Sequence, residues 1–125
     1  SSERVSFYGS YAENLPLVNI NVPLFEWVIE NIMKNALDAM QGDGELHVRA
    51  FPKGKFIFID IEDTGGGIPR SAYRKIFKPG YTTKTRGWGL GLSLAKRIIE
   101  EYHKGKVYVK SSSKKGTIMQ IRLRI

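Results

Sequence analysis

Hydrophobic and polar residues alternate along six short stretches of the chain, which is the pattern of half-buried β-strands. Turn-forming sequences separate two pairs of these stretches. The turns are PKGK at 52–55 and SKKG at 113–116, and each predicts a β-hairpin. The predicted strands are residues 5–8, 17–22, 45–51, 55–63, 106–112 and 117–125.

In two longer stretches the apolar residues recur every three to four positions, and this spacing predicts amphipathic helices. Pro23 can occupy the first turn of the first helix, and the polar sequence QGDG at 41–44 ends it. The predicted helical segments are 23–40, a short turn at 70–77 and 90–103, with a loop at 78–89. The apolar stripe of the first helix consists of Phe25, Val28, Ile29, Ile32, Ala36 and Met40.

Two neighbouring hairpins and two long helices predict an α+β fold, a two-layer sandwich with the helices on one face of a mixed sheet. The 125 residues suit a single domain with its own hydrophobic core. No apolar run is long enough to span a bilayer, and the N-terminus lacks the pattern of a signal peptide. The absence of cysteine excludes disulfides and thiolate metal sites and fits a reducing, cytoplasmic compartment.

The chain is basic, with 20 lysines and arginines against 12 aspartates and glutamates and a formal net charge of +8. A basic surface suits an anionic partner such as nucleic acid, an acidic lipid or a nucleotide. It also suits a surface whose only role is solubility. Because the charge does not choose among these partners, the choice depends on local motifs.

Three polar side chains on the first predicted helix form the first candidate site. Asn31, Asn35 and Asp38 lie within about 60° of one another, and the apolar stripe lies on the far side of the helix. Asparagine and aspartate are poor helix formers, so a merely solvated face would be served better by Lys, Glu or Gln. Their amide and carboxylate oxygens are hard ligands that suit Mg²⁺ together with phosphates.

The second candidate is the sequence DTGGGIP, which begins at Asp63 directly after a predicted strand. By strict alternation Asp63 shares the inward face with Ile59 and Ile61, where a carboxylate needs hydrogen-bond donors. Local chemistry supports two interpretations: a structural aspartate that caps the turn, or an acceptor for a donor on a ligand, such as an exocyclic amine. Gly65 and Gly67 would let the ring system of a ligand lie against bare backbone.

Alternating glycines at the start of the second long helix form the third candidate. Gly87, Gly89 and Gly91 would free backbone N–H groups, which together with the helix dipole make an anion site. The sequence is not a P-loop, since no Gly-Lys-Ser/Thr follows, and not a dinucleotide-binding fingerprint, since no strand leads directly into it. Four cations just upstream are typical of a phosphate-binding lid: Lys75, Lys78, Lys84 and Arg86.

Four motifs, taken in order, resemble the N, G1, F and G2 boxes of sensor histidine kinases. They are NIMKNALDAM, DTGGGIP, IFKPGYTTK and GWGLGLSLAKRII, and the resemblance runs from about Pro23 to Ile125. The ATP-binding domain of these kinases belongs to a superfamily shared with DNA gyrase, the mismatch-repair MutL proteins and the heat-shock chaperone ATPases. The resemblance implies the Bergerat fold, a mixed sheet with helices packed on one side and a flexible ATP lid.

The same resemblance implies ATP and Mg²⁺ as cofactors and gives the motifs their roles. Asn35 would coordinate Mg²⁺, with Asn31 and Asp38 nearby, and Asp63 would accept a hydrogen bond from the adenine amino group. Asn31, Asn35 and Lys84 are the catalytic candidates. The other implied nucleotide contacts are Gly65, Gly67, Ile68 and Thr117 around the base, Phe77, Tyr81, Thr82, Thr83 and Lys84 in the lid, and Gly87, Trp88, Gly89, Leu90 and Gly91 around the phosphates, where the tryptophan is unusually bulky.

The residue at position 31 favours phosphoryl transfer over hydrolysis. Related hydrolases resemble Glu-x-x-x-Asn, in which the glutamate activates water, and Asn31 occupies the position of that glutamate. An amide cannot act as a general base, and Glu30 is rotated by about 100° from the polar strip. We also expect no transducer domain of the gyrase or MutL type. We therefore expect residues 1–125 to be the catalytic and ATP-binding domain of a longer histidine kinase.

The phosphoryl acceptor is expected on a separate dimerisation domain of the same kinase, because neither histidine of this chain has a suitable sequence context. His47 lies in a predicted strand and His103 ends a predicted helix, so both are interpreted as structural or surface residues. The other partners implied are ATP or ADP and the response regulator of a two-component system. No nucleic acid and no membrane contact are expected for this domain.

Three alternatives stay open. The first is a serine kinase of the anti-sigma-factor or mitochondrial type, which Asn31 disfavours because a hydroxyl nucleophile needs a base. The second is a regulatory ATPase or ATP sensor of the same superfamily. The third is a nucleic-acid-binding module, since aromatic residues interleave with Lys and Arg. This last interpretation leaves Asn31, Asn35 and Asp63 unexplained.

Overall fold

The computed structural model describes residues 4–81 and 91–125, which form a five-stranded mixed sheet covered by helices. The strands are β1 Arg4–Tyr11, β2 Asp43–Lys53, β3 Phe56–Asp63, β4 Lys106–Ser113 and β5 Gly116–Arg124. Their order across the sheet is β1-β2-β3-β5-β4. β1 is parallel to β2, whereas the other neighbouring pairs are antiparallel. A parallel pair needs a crossover connection, and the first long helix provides it.

Both predicted long helices and the predicted short turn are confirmed. The first helix, α1, covers Val22–Met40, and the second, α2, covers Gly91–Arg97 and continues as a π-helical turn at Ile98–Tyr102. The short turn consists of two 3-10 segments, Arg70–Ala72 and Lys75–Phe77. Among the described residues, no helix has the length and apolar character needed to cross a membrane.

The hydrophobic core lies between the helices and one face of the sheet, so the predicted two-layer α+β sandwich is confirmed. The apolar stripe of α1 faces this core, as its spacing predicts, with Phe25 and Ile29 at the edge. Burial of this stripe is the main source of stability for such a helix. The core residues are Val28, Ile32, Ala36 and Met40 of α1, Ala95 and Ile99 of the second helical segment, Ala72, Ile76 and Phe77 of the short turn, and Leu46, Ile61, Val107, Val109, Met119, Ile121 and Leu123 of the sheet.

The predicted strand at 17–22 is wrong. Residues 17–21 have no regular secondary structure, and α1 already begins at Val22. Asn21 caps this helix, because its side-chain oxygen accepts the backbone N–H of Leu24 at 3.1 Å. Leu17 is almost fully exposed. The stretch therefore has an alternating sequence but pairs with no strand that the structure describes.

Both predicted hairpins are confirmed. β2 joins β3 through Gly54 and Lys55, and the φ of Gly54 is 62°, a value that favours glycine. β4 joins β5 through Lys114 and Lys115. A β-bulge shifts the register of this second hairpin between Val109 and Ser111, so that Ser112 pairs with Thr117.

Both histidines make structural contacts, as their sequence contexts predict. Nε2 of His103 accepts the backbone N–H of Asn21 at 3.0 Å, so the ring proton lies on Nδ1, which is 3.0 Å from the carbonyl oxygen of Ile98. His103 thus joins the end of the second helical segment to the start of α1. The ring of His47 stacks on Tyr8 with 4.6 Å between the ring centroids.

Candidate functional site

A cavity of about 70 Å³ lies between α1, the central strands and the glycine-rich turn that follows β3. By the same measure a single water needs about 10–15 Å³, so this cavity can hold a ligand fragment of several atoms. Its wall is mainly apolar and includes Ile32, Ala36, Ile61, Ile68, Leu92 and Met119. Three polar side chains also line it: Asn35, Asp63 and Thr117. An apolar pocket with a few convergent polar groups is the usual form of a small-molecule site.

Asp63 places a buried carboxyl group in the wall of this cavity. One oxygen, Oδ1, accepts the backbone N–H of Gly65 at 2.8 Å. Burial raises the pKa of the Asp63 carboxyl above its ordinary value of 3.8, while the backbone N–H groups of Gly65 and Thr117 oppose this shift and the negative charge of Glu62 adds to it. Asp63 therefore caps the turn and also lines the cavity, so the two interpretations of its sequence context are compatible.

The glycines of the turn approach protein backbone. A Cβ atom on Gly65 would lie 2.7 Å from the carbonyl oxygen of Ala39, and one on Gly67 would lie 2.0 Å from the carbonyl oxygen of Ser113. Gly67 also has a φ of 87°, which other residues rarely adopt. The expectation that both glycines make room for a ligand is therefore incomplete. Neighbouring backbone already requires the absence of a side chain at both positions, and of the two only Gly67 is among the described residues that line the cavity.

A pair of hydroxyl groups connects the glycine turn to the polar part of the cavity. Oγ of Ser112 accepts the backbone N–H of Ile68 at 2.7 Å and lies 2.7 Å from Oγ1 of Thr117. Thr117 is buried and is the β5 partner of Asp63 in the sheet. Ser112 was not among the predicted site residues, because the run of three serines at 111–113 gives no local signal that distinguishes the middle one.

The polar strip of α1 lies closer to the core than its sequence suggested. Asn35 lines the cavity beside Ala36 and Ile32, although the strip was expected to lie on the far side from the apolar stripe. Asn35 is separated from Ala36 by 100° and from Ile32 by about 60° around the helix. These rotations are small enough for all three side chains to border one cavity.

The other two polar residues of α1 lie outside the described cavity wall. Nδ2 of Asn31 donates to the carbonyl oxygen of Trp27 at 2.8 Å. Its Oδ1 faces the first residue of α2, where a Cβ on Gly91 would lie 3.0 Å from it. Asp38 is exposed near the end of α1. The structure thus brings Asn35, but neither Asn31 nor Asp38, to the wall that also holds Asp63.

The predicted lid residues are only partly described. Phe77 is buried in the core, and Nζ of Lys96 lies 5.6 Å from its ring centroid. Tyr81 is exposed. Neither residue is among those described as lining the cavity. The predicted site residues that lie outside the described part of the chain are Thr82, Thr83, Lys84, Gly87, Trp88, Gly89 and Leu90.

Several apolar residues of the wall were not predicted as site residues. Ile76 comes before the alternating glycines at 87–91 in the sequence, and Leu92 comes directly after them. Both residues contribute to the cavity. Ala39 and Met119 contribute from α1 and β5. Ile76 and Met119 belong to the hydrophobic core and Leu92 packs against it, whereas Ala39 is exposed outside the cavity wall. A sequence pattern cannot separate a core residue that contacts only other side chains from one that also borders a cavity.

The fold and the cavity define an α+β domain with a pocket for a small molecule, and a family comparison identifies its class. The family model described as histidine kinase-, DNA gyrase B- and HSP90-like ATPase matches residues 21–125. The chain belongs to this family. The four sequence motifs and the resemblance to sensor histidine kinases are consistent with that assignment.

Similar proteins include two sensor kinases. Sporulation kinase C of Bacillus subtilis (strain 168) is 33% identical over 107 residues, which are 86% of this chain and 25% of that protein. Alginate biosynthesis sensor protein KinB of Pseudomonas aeruginosa is 36% identical over 117 residues, which are 92% of this chain and 20% of that protein. The chain therefore spans a quarter or less of the length of these relatives.

Solved structures of histidine kinase catalytic domains share the fold. The nucleotide-free catalytic domain of histidine kinase ThkA superposes with a TM-score of 0.84 at 28% identity, covering 96% of this chain and 78% of that one. ThkA in complex with the response regulator protein TrrA superposes with a TM-score of 0.80 at 25% identity, covering 96% of this chain and 34% of that one. The predicted Bergerat-type architecture is thus confirmed.

Proposed function

We propose that this chain binds Mg²⁺-ATP in the described cavity and transfers the γ-phosphate to a histidine on a separate dimerisation domain of the same kinase. The observation that carries the proposal is Asp63, a buried carboxyl group in an otherwise largely apolar cavity. A ligand that fills this cavity is expected to offer a flat apolar surface and one hydrogen-bond donor. Adenine, with its exocyclic amino group, meets both requirements.

The described residues also suit a Mg²⁺ ion that is bound mainly by the phosphates of the nucleotide. No group of three or more His, Asp or Glu side chains in residues 4–81 and 91–125 could hold a metal ion by itself. Mg²⁺ commonly uses few protein ligands and takes the rest from phosphates and water. Asn35 would supply one amide oxygen from the cavity wall, and the bound ion would neutralise phosphate charge. The predicted roles of Asn31, Asp38 and Lys84 beside the phosphates remain part of this proposal.

The proposed transfer depends mainly on positioning. Asn31 replaces the glutamate that would activate water in related hydrolases, and its side-chain nitrogen donates to the backbone of its own helix. A neutral imidazole has its own lone pair, so a histidine acceptor needs no general base. The described residues would hold the nucleotide in place while an acceptor on another domain attacks in line. A response regulator, like the one in the ThkA complex, would then be the downstream partner.

Binding is tested by calorimetric titration of ATP with Mg²⁺, and again with EDTA, into the wild type and Asn35→Ala. We expect the wild type to bind ATP more tightly with Mg²⁺ and to ignore GTP. We expect Asn35→Ala to weaken Mg²⁺-dependent binding at least about 10-fold, because a ligand to the ion is lost.

Asn19→Ala, in an exposed loop, is the matched control and should behave as the wild type. A wild type that binds no ATP would overturn the proposed function. Loss of affinity in Asn35→Ala that is equal with Mg²⁺ and with EDTA would remove Asn35 from the proposed metal site.

Phosphoryl transfer to an acceptor is distinguished from ATP hydrolysis by measuring the release of inorganic phosphate at saturating ATP. We expect the chain by itself to release phosphate no faster than the background set by Asp63→Ala, in which nucleotide binding should be lost. Hydrolysis well above that background, without any acceptor domain, would instead support the regulatory ATPase alternative.

A further inference from the structure

The sheet has an outer face, opposite the helices, and one half of this face is basic and aromatic. Phe56 and Phe58 lie on it, because they alternate along β3 with the buried Ile57. Paired residues of neighbouring strands share a face, so the strand register places two rows of side chains around these rings. The rows, which together form the basic patch, are Lys53, Phe56 and Arg124, then Phe51, Phe58, Arg122 and Lys106.

The positive charge on the outer face is concentrated in the basic patch. In the other half of this face, Nη2 of Arg49 lies 2.7 Å from a carboxylate oxygen of Glu62, and Nζ of Lys110 lies 3.3 Å from a carboxylate oxygen of Asp60. Among the residues that the structure describes, no carboxylate forms an ion pair with a cation of the basic patch. The charge of the patch is therefore left for solvent or for an anionic partner.

Two arginines of the patch are held against one aromatic ring. Cζ of Arg122 lies 4.6 Å from the ring centroid of Phe56, and Cζ of Arg124 lies 5.9 Å from it. A guanidinium held in this way keeps N–H groups at its edge, and these match the two oxygens of a carboxylate. Lys106 lies directly opposite Arg122 in the β4–β5 register, and like charges in this position destabilise a sheet. A bound anion would relieve this repulsion.

We propose that the basic patch is a docking surface for an acidic protein segment whose carboxylates lie on alternate residues of an extended chain. Arg122 and Arg124 are alternate residues of β5, so they point to the same face about 7 Å apart along the strand. Carboxylates on alternate residues of an extended segment have the same spacing. The segment would lie along β5, with Lys53 and Lys106 on either side of it.

The aromatic rings of the patch favour a protein partner over single-stranded nucleic acid. Nucleic-acid platforms offer free ring faces on which bases stack. Here Phe51 and Phe58 stack on each other with 5.7 Å between their centroids, and Phe56 lies under Arg122. All three rings are half-buried. The patch thus presents the edges of guanidinium groups and the ammonium groups of lysines, which suit carboxylates, and it lacks an exposed ring.

The test measures the fluorescence anisotropy of a labelled peptide in which glutamate alternates with threonine, and of the same peptide with glutamine in place of glutamate. We expect the chain to bind the glutamate peptide more tightly, with an affinity that falls as NaCl is added. Arg122→Gln combined with Arg124→Gln should weaken this binding at least about 10-fold. Lys114→Gln combined with Lys115→Gln is the matched control, because it removes the same charge from the exposed turn at the other end of β5.

A second pair of variants separates charge from packing, since Arg122 also covers Phe56. Lys53 and Lys106 are exposed, so their replacement disturbs no packed ring. We expect Lys53→Gln combined with Lys106→Gln to weaken binding of the glutamate peptide by about threefold and to leave the melting temperature unchanged.

A loss of peptide affinity that is confined to the variants of the patch supports the inference. Equal losses in the arginine pair and in the matched control pair would overturn it, because net charge alone would explain them. A wild type that does not bind the glutamate peptide would overturn it as well. So would tighter binding, at the patch, of oligothymidylate or of vesicles that contain phosphatidylserine. The patch and the cavity lie on opposite faces of the sheet, so ATP binding should be the same in all these variants, and this inference fails or holds independently of the proposed function.

Discussion

Replacing Asp63 with asparagine is expected to weaken ATP binding by about 100-fold, which is close to 3 kcal/mol, without unfolding the domain. The amide has nearly the same shape as the carboxyl group and can still accept the N–H of Gly65 through its oxygen. It loses the negative charge and can turn its NH₂ group toward the adenine amino group, so that two donors face each other. A hydrogen bond to a charged acceptor is worth more than a neutral one, which is why we expect a large loss.

The stability of the same variant depends on pH in a defined direction. The pKa of Asp63 is raised in the folded protein by burial, so the folded state holds this proton more tightly than the unfolded chain does. The wild type therefore loses stability as the pH rises from the ordinary value of 3.8 through the raised pKa, and the loss is complete above it. We expect the melting temperature of Asp63→Asn to equal or exceed that of the wild type at pH 7, and this advantage to shrink on acidification.

Calorimetry of ATP binding and thermal melting between pH 4 and pH 7.5 check both parts of this prediction. Glu62→Gln is a useful control, because it removes a neighbouring charge that raises the pKa of Asp63 and leaves the Asp63 carboxyl group itself in place. Unchanged ATP binding in Asp63→Asn would exclude Asp63 as the base-recognition group. A melting temperature of Asp63→Asn well below that of the wild type at pH 7 would contradict the loss of stability that we expect from the raised pKa of Asp63.

Gly67→Ala is expected to destabilise the fold by about 3 kcal/mol or more, because it combines a steric clash with backbone strain. The new Cβ would lie 2.0 Å from the carbonyl oxygen of Ser113, which is a backbone atom at the end of β4 and cannot rotate away as a side chain could. The φ of 87° adds to this strain, because a positive φ costs a residue with a side chain about 1–2 kcal/mol. Since a domain of this size has a stability of about 5–15 kcal/mol, the loss is a large fraction of the total.

Gly66→Ala is the matched control for this prediction. It lies next to Gly67 in the same turn, but nothing lies within 4 Å of the Cβ it would carry, and its φ is outside the positive range. We expect a change within about 1 kcal/mol, with stabilisation possible through the less flexible unfolded chain. Urea unfolding of the two variants measures the difference directly. Equal stability of the two variants would contradict the close approach of Gly67 to Ser113.

The elements of this fold follow from short-range patterns in the sequence. The helix at Val22–Met40 is predicted by apolar spacing and by Pro23 in its first turn. The hairpins are predicted by alternation around short turns that contain glycine. The one false strand, at 17–22, alternates correctly but contains the helix cap Asn21 and pairs with no described strand. Alternation predicts a possible strand, whereas a strand also needs a neighbour that only the assembled sheet provides.

The sequence by itself determined the element types, the order of the four motifs, and the presence of Asp63 on an inward face, because each depends on residues close together in the chain. Only the tertiary structure decided which polar groups meet. It placed Asn35 rather than Asn31 or Asp38 at the cavity wall, set Gly65 against Ala39 and Gly67 against Ser113, and turned Ser112 toward Thr117 through a bulge. These contacts join segments that are distant in the chain, such as Ile68 and Ser112, which are 44 residues apart. Their positions are fixed by the packing of the sheet and helices and by strand register, and no local pattern encodes that register.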